Sequence, residues 1–326
     1  MGIWNGQTFA ALVVIVGKPV LLAIQEAAIG THCLGCYSES RGSVAQPANS
    51  EVRETAMPYP NELVVALEAA LQAAHVILQH YRSFEAIADA PANITTQADR
   101  DSQETILQLL AQHFPDDALC AEESTPTLAQ ARHSGDRIWV VDPIDGTRGF
   151  AQKNGEFSVM IGLVEKGQSV LGVVLEPASW RWTYAVRGEG CWMINGETGT
   201  PQPCRVTATP KLAICSLTQS RSKPGVVSRQ VTALQPATVL ETHSAGIKLA
   251  RVARGEADLY VNHYPNFHDW DICAGQVLVE EAGGRVTGLH GEAIHYGSSG
   301  ASQRCGLLAS NGILHDAALA KLQGVF

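Results

Sequence analysis

Two long stretches in the first half of the chain carry apolar residues every three or four positions. The first follows Asn61, a suitable N-cap residue, and runs to about Tyr81. The second runs from about Asp99 to Phe114 and ends at Pro115. Because a 3.6-residue period is typical of an amphipathic helix, both stretches are predicted to be helices.

Short apolar runs come next, and they predict a succession of strands. The predicted strands are 118–121, 138–141, 157–164, 169–176, 182–186 and 191–194. The third and fourth are separated by Glu-Lys-Gly-Gln, which is a hairpin signature. The second reaches Asp142, and because Pro143 fixes φ and lacks an N–H group, this strand is predicted to stop there.

Helices and strands interleave irregularly after about residue 205. The predicted strands are 212–215, 257–261 and 307–309, and the predicted helices are 245–253, 270–282 and 313–322. This order favours a layered α+β fold over a regular βαβ repeat. The chain has 326 residues, which is enough for two joined subdomains. We place them at 57–205 and 206–326.

The first 56 residues are expected to lie outside this folded unit. The apolar run from Phe9 to Gly17 is too short to span a bilayer and lacks the basic start of a secretory signal. Residues 37–60 are polar and rich in turn-forming residues. We therefore interpret residues 1–56 as an N-terminal extension, either a targeting segment or translation from a start upstream of Met57.

Charge and cysteine content narrow the class of protein. The net charge is −9 and no block of Lys and Arg appears, so a nucleic-acid polymer is disfavoured as a partner. We also expect no membrane partner. Eight scattered cysteines predict reduced, buried thiols and a cytoplasmic location, or an organellar one if residues 1–56 are a targeting segment. Cys33 and Cys36 form a close pair, but no second pair at zinc-site spacing follows.

The segment 142–147, Asp-Pro-Ile-Asp-Gly-Thr, is the first candidate for chemistry. Its two carboxylates can converge with the Ile144 carbonyl, and such hard oxygen ligands suit Mg²⁺ or Mn²⁺ rather than Zn²⁺. Gly146 permits an unusual backbone angle. The N–H groups of Gly146 and Thr147 can then face a phosphate. The alternative interpretation is an Asp-rich turn.

Three other acidic segments also stand at predicted element ends. Glu122 and Glu123 follow a short strand, Asp271 lies in the first turn of a helix, and Thr96 with Asp99 begins another helix. Each has an ordinary explanation as a capping residue. Together with 142–147 they place four acidic segments at element ends, where functional residues collect.

These segments resemble the motifs of the inositol monophosphatase superfamily in order and spacing. The matching motifs are Thr-Gln-Ala-Asp at 96–99, Ala-Glu-Glu-Ser at 121–124, Asp-Pro-Ile-Asp-Gly-Thr at 142–147, Trp-Asp at 270–271 and Glu-Ala-Gly-Gly at 281–284. The resemblance extends from about Met57 to the end of the chain. It implies a five-layer αβαβα sandwich that hydrolyses small phosphate monoesters with two or three Mg²⁺ ions and is sensitive to lithium.

The resemblance also implies roles for individual residues. The implied metal ligands are Glu122, Asp142, the Ile144 carbonyl, Asp145 and Asp271. The implied catalytic residues are Glu122 and Thr147, which position the attacking water, and Asp99 with Thr96, which assist it. The implied substrate-binding residues are Asp145, Gly146, Thr147, Ser244, Lys248 and Asp271.

The substrate is less clearly indicated. Arg148 extends the central motif to Asp-Gly-Thr-Arg-Gly-Phe, which resembles 3'(2'),5'-bisphosphate nucleotidases, and Lys248 stands where those enzymes carry a Lys near the second phosphate. The alternative for Lys248 is a solvated helix lysine. The segment 262–264, Asn-His-Tyr, departs from the Arg that nucleotidases usually carry there, and Tyr264 replaces a Glu usual in inositol phosphatases. Histidinol phosphatases share Asp-Gly-Thr-Arg.

The resulting hypothesis is a phosphatase that converts 3'-phosphoadenosine 5'-phosphate to AMP and phosphate. Inositol 1-phosphate, fructose 1,6-bisphosphate and histidinol phosphate remain alternative substrates. A non-catalytic binding module of the same fold is a further alternative, but such a module needs none of the implied metal ligands. The sequence leaves monomer and homodimer open.

Overall fold

A computed structural model describes residues 57–91, 93–221, 225–264, 267–297 and 301–326. The predicted extension 1–56, with its Cys33–Cys36 pair, lies outside the described residues.

The described residues contain helices and strands in mixed order. The helices are α1 (Pro60–Ser83), α2 (Gln97–His113), α3 (Pro126–Gln130), α4 (Thr147–Ala151), α5 (Arg229–Leu234), α6 (Ala245–Ala253), α7 (Asp269–Glu281) and α8 (His315–Leu322). The strands of the first half are β1 (Ala118–Ala121), β2 (Arg137–Asp145), β3 (Ser158–Glu165), β4 (Gln168–Glu176), β5 (Arg181–Val186), β6 (Cys191–Asn195) and β7 (Gln202–Pro203). Those of the second half are β8 (Ser216–Gln219), β9 (Thr238–Glu241), β10 (Leu259–Asn262), β11 (Phe267–His268), β12 (Arg285–Thr287), β13 (Ser302–Gln303) and β14 (Leu307–Ser310).

Two main sheets organise these strands. The first has seven strands in the order β1 to β7; β1 and β2 are parallel, and the other neighbours are antiparallel. The second has the order β12-β14-β10-β8-β9, with β8 parallel to both its neighbours and β14 antiparallel to its own. A short sheet pairs β11 with β13.

The helices and sheets stack in five layers, which are joined by three hydrophobic cores. This arrangement confirms the predicted αβαβα sandwich. The first core joins α1 and α2 to one face of the seven-stranded sheet, and the second places α6 and α7 between the two sheets. The third joins the outer face of the second sheet to α5 and α8. Representative buried residues are Leu67 and Trp139 in the first core, Val277 and Tyr260 in the second, and Leu217 and Leu322 in the third.

Helix α7 packs closely on the first sheet because two glycines face it. Gly162 on β3 and Gly172 on β4 are directly opposite each other in the sheet. A Cβ atom on Gly162 would lie 2.6 Å from Cys273 Sγ, and one on Gly172 would lie 2.2 Å from the Ala274 carbonyl oxygen. This close approach fixes the position of the helix that carries Asp271 in its first turn.

Three predictions about element boundaries are wrong. Strand β2 does not stop at Pro143: it continues to Asp145 through a register shift, and such a bulge tolerates the missing N–H group. The predicted strand 212–215 is instead a 3₁₀ turn over 212–214, followed by β8. Its apolar pattern misleads because Ile214 is exposed. Asn61 is not the N-cap of α1, because the helix already begins at Pro60.

The subdomain boundary near residue 205 stays a prediction. Strands up to Pro203 form the first sheet and those from Ser216, apart from β11 and β13, form the second, but α7 from the second half packs on β3 and β4 of the first. Helix α1 is long and apolar enough to cross a membrane by length and composition alone. Half of the relevant stretch is buried, and the core helix of a soluble protein passes the same test.

Candidate active site

The bulge in β2 brings two carboxylates to the same side of the strand. In a regular strand, side chains three residues apart point to opposite faces. The register shift between Asp142 and Asp145 adds one residue and removes this opposition. Each of these two residues and Asp271 offers a carboxylate oxygen, and the three oxygens lie within 4.8 Å of one another. Residues 142 and 271, far apart in sequence, therefore meet in one acidic trio.

Asp271 is placed by the start of α7. It is the third residue of that helix, and its Oδ2 accepts a hydrogen bond of 2.6 Å from the backbone N–H of His268. The ring of His268 stacks on Trp270 at a centroid distance of 4.4 Å. The structure therefore confirms the predicted capping role of Asp271. The same carboxyl group also lies beside those of Asp142 and Asp145.

Asp145 is anchored at the N-terminus of α6. Its carboxylate accepts hydrogen bonds from the backbone N–H groups of Gly246, at 2.7 Å, and Ala245, at 3.1 Å. The hydroxyl groups of Ser244 and Ser158 also donate to it. The positive end of a helix favours a carboxylate at this position. Ser244 therefore contacts a predicted metal ligand, while its predicted contact with substrate stays a prediction.

The acidic trio is crowded by charge of one sign. Burial, and then the neighbouring charges of Glu122, Asp145 and Asp271, raise the pKa of Asp142 well above its ordinary value. Burial and the charge of Asp145 do the same to the pKa of Asp271. Such carboxyl groups resist ionisation unless a cation is bound between them.

Glu122 adjoins this trio. The residue as a whole is exposed, but its carboxyl end is crowded by the protein and is hydrogen-bonded to Asp142. Burial of that end, together with the charges of Glu123 and Asp99, raises the pKa of Glu122 to about 7.

The donor set fits a hard divalent cation. Asp142 is 2% exposed, and its Oδ1 has no hydrogen-bond partner among the described residues. A buried oxygen of this kind is costly unless it has a partner that is not part of the chain. The carboxylates of Asp145 and Asp271 lie beside it, and such hard oxygen ligands suit Mg²⁺ or Mn²⁺. The residues predicted as ligands are therefore compatible with such an ion.

A chain of hydrogen bonds links the predicted catalytic residues. The Thr147 hydroxyl lies 2.8 Å from Asp99 Oδ1 and 3.0 Å from the Ile144 carbonyl oxygen. The other Asp99 oxygen accepts from the Thr96 hydroxyl at 2.6 Å and from its backbone N–H at 2.8 Å. Asp99 is buried at the first turn of α2, and burial raises its pKa while these bonds oppose the increase. The structure thus brings Thr96, Asp99 and Thr147 together.

Gly146 leaves no room for a side chain. Its φ is +87°, in the left-handed region that favours glycine. A Cβ atom there would lie 2.6 Å from the Glu156 carbonyl oxygen. The predicted role of the Gly146 and Thr147 N–H groups in holding phosphate stays a prediction.

Lys248 is not the solvated lysine of the alternative interpretation. It is 1% exposed. Its Nζ donates to Ser220 Oγ at 3.1 Å and to the carbonyl oxygens of His243, at 3.2 Å, and Thr242, at 3.3 Å. Burial lowers the pKa of Lys248 to about 8, although the charges of Asp145 and Asp271 oppose this change. Its ammonium group therefore joins α6 to Ser220 and to the segment 242–243.

Other basic side chains, those of Arg148, Arg221 and His243, gather beside Lys248. His243 directly precedes Ser244, the N-cap residue of α6 whose hydroxyl donates to Asp145. The backbone N–H group of His243 and the side chain of Arg221 both donate to the Glu156 carboxylate. Burial lowers the pKa of His243; Glu156 opposes this, and Arg148, Arg221 and Lys248 lower it further. Sequence reasoning missed His243 and Arg221, because neither belongs to a recognisable motif and only the fold brings them together.

The whole described fold corresponds to one known family. Residues 60–325 match the inositol monophosphatase family. The chain belongs to this family.

Relatives and solved structures agree with this assignment. The chain is 33% identical to a fructose-1,6-bisphosphatase/inositol-1-monophosphatase of Thermotoga maritima, over 69% of the chain and 80% of that protein. It is 30% identical to a histidinol-phosphatase of Mycobacterium tuberculosis (80% and 98%) and 33% identical to a 3'(2'),5'-bisphosphate nucleotidase of Salmonella typhimurium (62% and 78%). A Thermotoga maritima inositol monophosphatase structure superposes with a TM-score of 0.67 at 28% identity, covering 81% of this chain and 98% of that one.

The inositol monophosphatase family member described here is therefore a metal-dependent phosphatase, a phosphoric monoester hydrolase. The three relatives have similar identity to this chain, and their names cover four different substrates. Overall similarity therefore does not select the substrate, and the side chains around the acidic trio must be considered.

Proposed function

We propose that this phosphatase hydrolyses 3'-phosphoadenosine 5'-phosphate to AMP and inorganic phosphate. The observation that carries this proposal is the group of basic side chains beside the acidic trio. Its members, here called the basic cluster, are Arg148, Arg221, His243 and Lys248.

The basic cluster is unexpected in a protein of net charge −9. Arg221 lies just after the carboxyl end of β8, and His243 lies just after that of β9. Arg148 is on α4, and its buried Nε has no hydrogen-bond partner among the described residues. The charge of Lys248 acts on both Asp145 and Asp271. Positive charge this close to the predicted site of hydrolysis favours a substrate with a second anionic group.

The candidate substrates differ in that second group. The nucleotide carries a 5'-phosphate in addition to the 3'-phosphate that is cleaved. Inositol 1-phosphate carries only hydroxyl groups beyond its single phosphate, and histidinol phosphate carries an amine that is positively charged at neutral pH. Fructose 1,6-bisphosphate also has two phosphates and remains the second candidate. The Asp-Gly-Thr-Arg-Gly-Phe motif favours the nucleotide over the sugar.

The proposed roles of the residues follow from their contacts. The proposed ligands of Mg²⁺ are Glu122, Asp142, the Ile144 carbonyl, Asp145 and Asp271. When bound, the ion would neutralise these oxygens, polarise a water molecule and stabilise the departing oxygen. Asp99 accepts the Thr147 hydroxyl hydrogen bond and so fixes that side chain.

Glu122 and the fixed Thr147 hydroxyl are proposed to orient the attacking water. Glu122 has a pKa raised to about 7, which suits a group that accepts a proton near neutral pH. The N–H groups of Gly146 and Thr147 are proposed to bind the phosphate that is cleaved. Lithium is expected to inhibit the reaction, and we propose a cytoplasmic enzyme that acts as a monomer or homodimer.

Phosphate release from the four candidate substrates, measured with Mg²⁺, tests this proposal. We expect kcat/KM to be highest for 3'-phosphoadenosine 5'-phosphate, with fructose 1,6-bisphosphate second. A higher kcat/KM for inositol 1-phosphate or histidinol phosphate would contradict the role of the basic cluster. No phosphate release from any substrate by metal-bound protein would instead support the binding-module alternative.

A charge variant separates the basic cluster from the rest of the site. Arg221→Ala should raise the KM for 3'-phosphoadenosine 5'-phosphate about tenfold, with little change in kcat. This increase corresponds to the loss of one charge-assisted hydrogen bond to the substrate. Any turnover of inositol 1-phosphate should be unaffected. Arg229→Ala is the matched control, because Arg229 is on α5 in the outer layer. An unchanged KM in Arg221→Ala would remove Arg221 from the proposed substrate site.

A further inference from the structure

Cys191 and Cys204 stand directly opposite each other at one edge of the first sheet. Strands β6 and β7 are antiparallel, with Trp192 opposite Pro203. Continuing this register by one residue in each strand places Cys191 opposite Cys204. The backbone confirms the pairing, because the N–H group of Cys204 donates to the Cys191 carbonyl oxygen at 2.8 Å.

This pairing is suitable for a disulfide bond. Hydrogen-bonded partners in an antiparallel sheet have Cα atoms about 5.5 Å apart, and disulfides join Cα atoms separated by about 4.4 to 6.8 Å. Directly opposite side chains point to the same face of the sheet. Both cysteines are free thiols and both are buried.

The surroundings favour ionisation of one of the two thiols. The Cys191 thiol lowers the pKa of Cys204, burial opposes this change, and the positive charges of Arg254 and Arg181 lower the pKa further. Burial raises the pKa of Cys191. A thiolate is the reactive form of cysteine, so Cys204 is the expected nucleophile.

Cys204 is buried but directly follows a short strand at the edge of the first sheet. Strand β7 consists of only Gln202 and Pro203, and both residues are exposed. Among the described residues it is the last strand of the sheet, and its one neighbour there is β6. Opening this short edge strand breaks few hydrogen bonds, so Cys204 becomes accessible without unfolding of the core.

We propose that Cys191 and Cys204 are a reversible thiol–disulfide pair that peroxide oxidises. The Cys204 thiolate attacks one oxygen of hydrogen peroxide; the O–O bond breaks, leaving a sulfenic acid and releasing hydroxide, which takes up a proton as water. The Cys191 sulfur then attacks the Cys204 sulfur; the S–S bond forms, the S–O bond breaks and the second oxygen leaves as water. Two thiols are oxidised and one peroxide is reduced to two waters. A thiol reductant reverses the reaction.

The disulfide would fasten the chain where it leaves the first sheet. Two residues after Cys204, the N–H group of Val206 donates to the carbonyl oxygen of Ala282 at the end of α7. The bond closes a short loop in the unfolded chain, so it should stabilise the folded state. The acidic trio is anchored on β2, at the other end of the strand order, so activity should be retained. The pair is therefore proposed to protect the fold and not to switch catalysis.

One tryptic peptide reports the outcome directly. Residues 188–205 contain both cysteines and no internal Lys or Arg. We propose to treat reduced full-length protein with hydrogen peroxide, to alkylate it under denaturing conditions, and to digest it with trypsin. The expected peptide has lost two hydrogens, carries no alkyl group, and returns to the doubly alkylated form after dithiothreitol. The oxidised protein should also have a Tm several degrees higher, with kcat/KM changed less than twofold.

Cys204→Ser should abolish the Tm increase, whereas Cys305→Ser, which removes an exposed thiol, should retain it. If Cys204→Ser does not fold, the wild-type peptide still decides the result. Recovery of a doubly alkylated peptide 188–205 after peroxide, with Cys305 oxidised, would overturn the proposal. Cross-linking of Cys191 or Cys204 to any other cysteine would overturn it as well.

Discussion

Asp142 is almost fully buried and has a carboxylate oxygen without a partner among the described residues. Glu122, Asp145 and Asp271 all act on it with charge of the same sign. This arrangement destabilises the protein without a cation and is explained by cation binding. Stability and function therefore conflict at this residue, as is common at active sites.

Asp142→Asn should separate the two effects. Without Mg²⁺ the Tm of this variant should be no lower than that of the wild type. The substitution removes a buried carboxyl group that the neighbouring carboxylates repel when it is ionised, and it breaks no hydrogen bond to a group other than these carboxyl groups. With Mg²⁺ at about 100 times Kd, the wild type should gain about 2.7 kcal/mol and the variant much less. Thermal unfolding with and without Mg²⁺ measures this. Asp316→Asn, at an exposed carboxylate on α8, is the control and should follow the wild type. An equal Mg²⁺ effect in Asp142→Asn would contradict the ligand assignment.

Among the elements, α7 and α6 determine the geometry of the site. Helix α7 carries Asp271, and its depth is set by contact with Gly162 and Gly172. Helix α6 fixes Asp145 through its first N–H groups, and Gly275 of α7 leaves room for Leu249 of α6. A change in the glycine contacts should therefore reach the acidic trio through the helix, without touching a ligand.

Gly172→Ala tests this coupling. The new Cβ atom would lie 2.2 Å from a backbone oxygen of α7, which cannot move without the helix. We expect a loss of about 1 to 3 kcal/mol in stability, together with weaker Mg²⁺ binding. Thermal unfolding and calorimetric titration with Mg²⁺ measure both. Gly135→Ala is the control, because its nearest neighbouring atom would lie 3.7 Å away. The coupling is refuted if both variants have the same Tm and Mg²⁺ affinity.

Local sequence was sufficient for some of these features and not for others. The segment 142–147 identified the chemistry, and periodicity located α6 and α7 to within one residue. The bulge in β2 was missed, because Pro143 also reads as the end of a strand. The burial of Lys248 and its closeness to Arg221 depend on contacts between distant segments. Strand β9 was missed because it is a short edge strand with exposed residues and no clear alternation.

In the whole molecule, three hydrophobic cores hold the five layers together. A buried histidine helps to attach the outer helix layer, α5 and α8, to the second sheet. His315, at the start of α8, is fully buried between two hydroxyl groups. Its Nε2 lies 2.9 Å from Thr287 Oγ1 and its Nδ1 lies 2.8 Å from Ser310 Oγ. These partners belong to β12 and β14, so the histidine ties the outer helix layer to the second sheet. Burial lowers the pKa of His315 to about 4.

This pKa predicts a loss of stability in acid. Between its ordinary value of 6.5 and about 4, the histidine takes up a proton in the unfolded chain but not in the folded protein. The free energy of unfolding should therefore fall as pH decreases through this window, by roughly 2 kcal/mol from this residue. Urea unfolding from pH 7 to pH 4 measures the change. His315→Gln should show a weaker pH dependence, and His290→Gln, at an exposed turn, should match the wild type. A dependence unchanged in His315→Gln would refute the assignment.

The acidic trio is proposed to bind the metal that this phosphatase needs. The most direct measurement is phosphate release from 3'-phosphoadenosine 5'-phosphate with Mg²⁺, by the wild type, by Asp145→Asn and by Asp316→Asn. Asparagine keeps one acceptor oxygen for the N–H groups of α6, so circular dichroism should show an intact fold. We expect Asp145→Asn to lose activity about 1000-fold and Asp316→Asn to match the wild type. Near-normal turnover by folded Asp145→Asn would contradict the account.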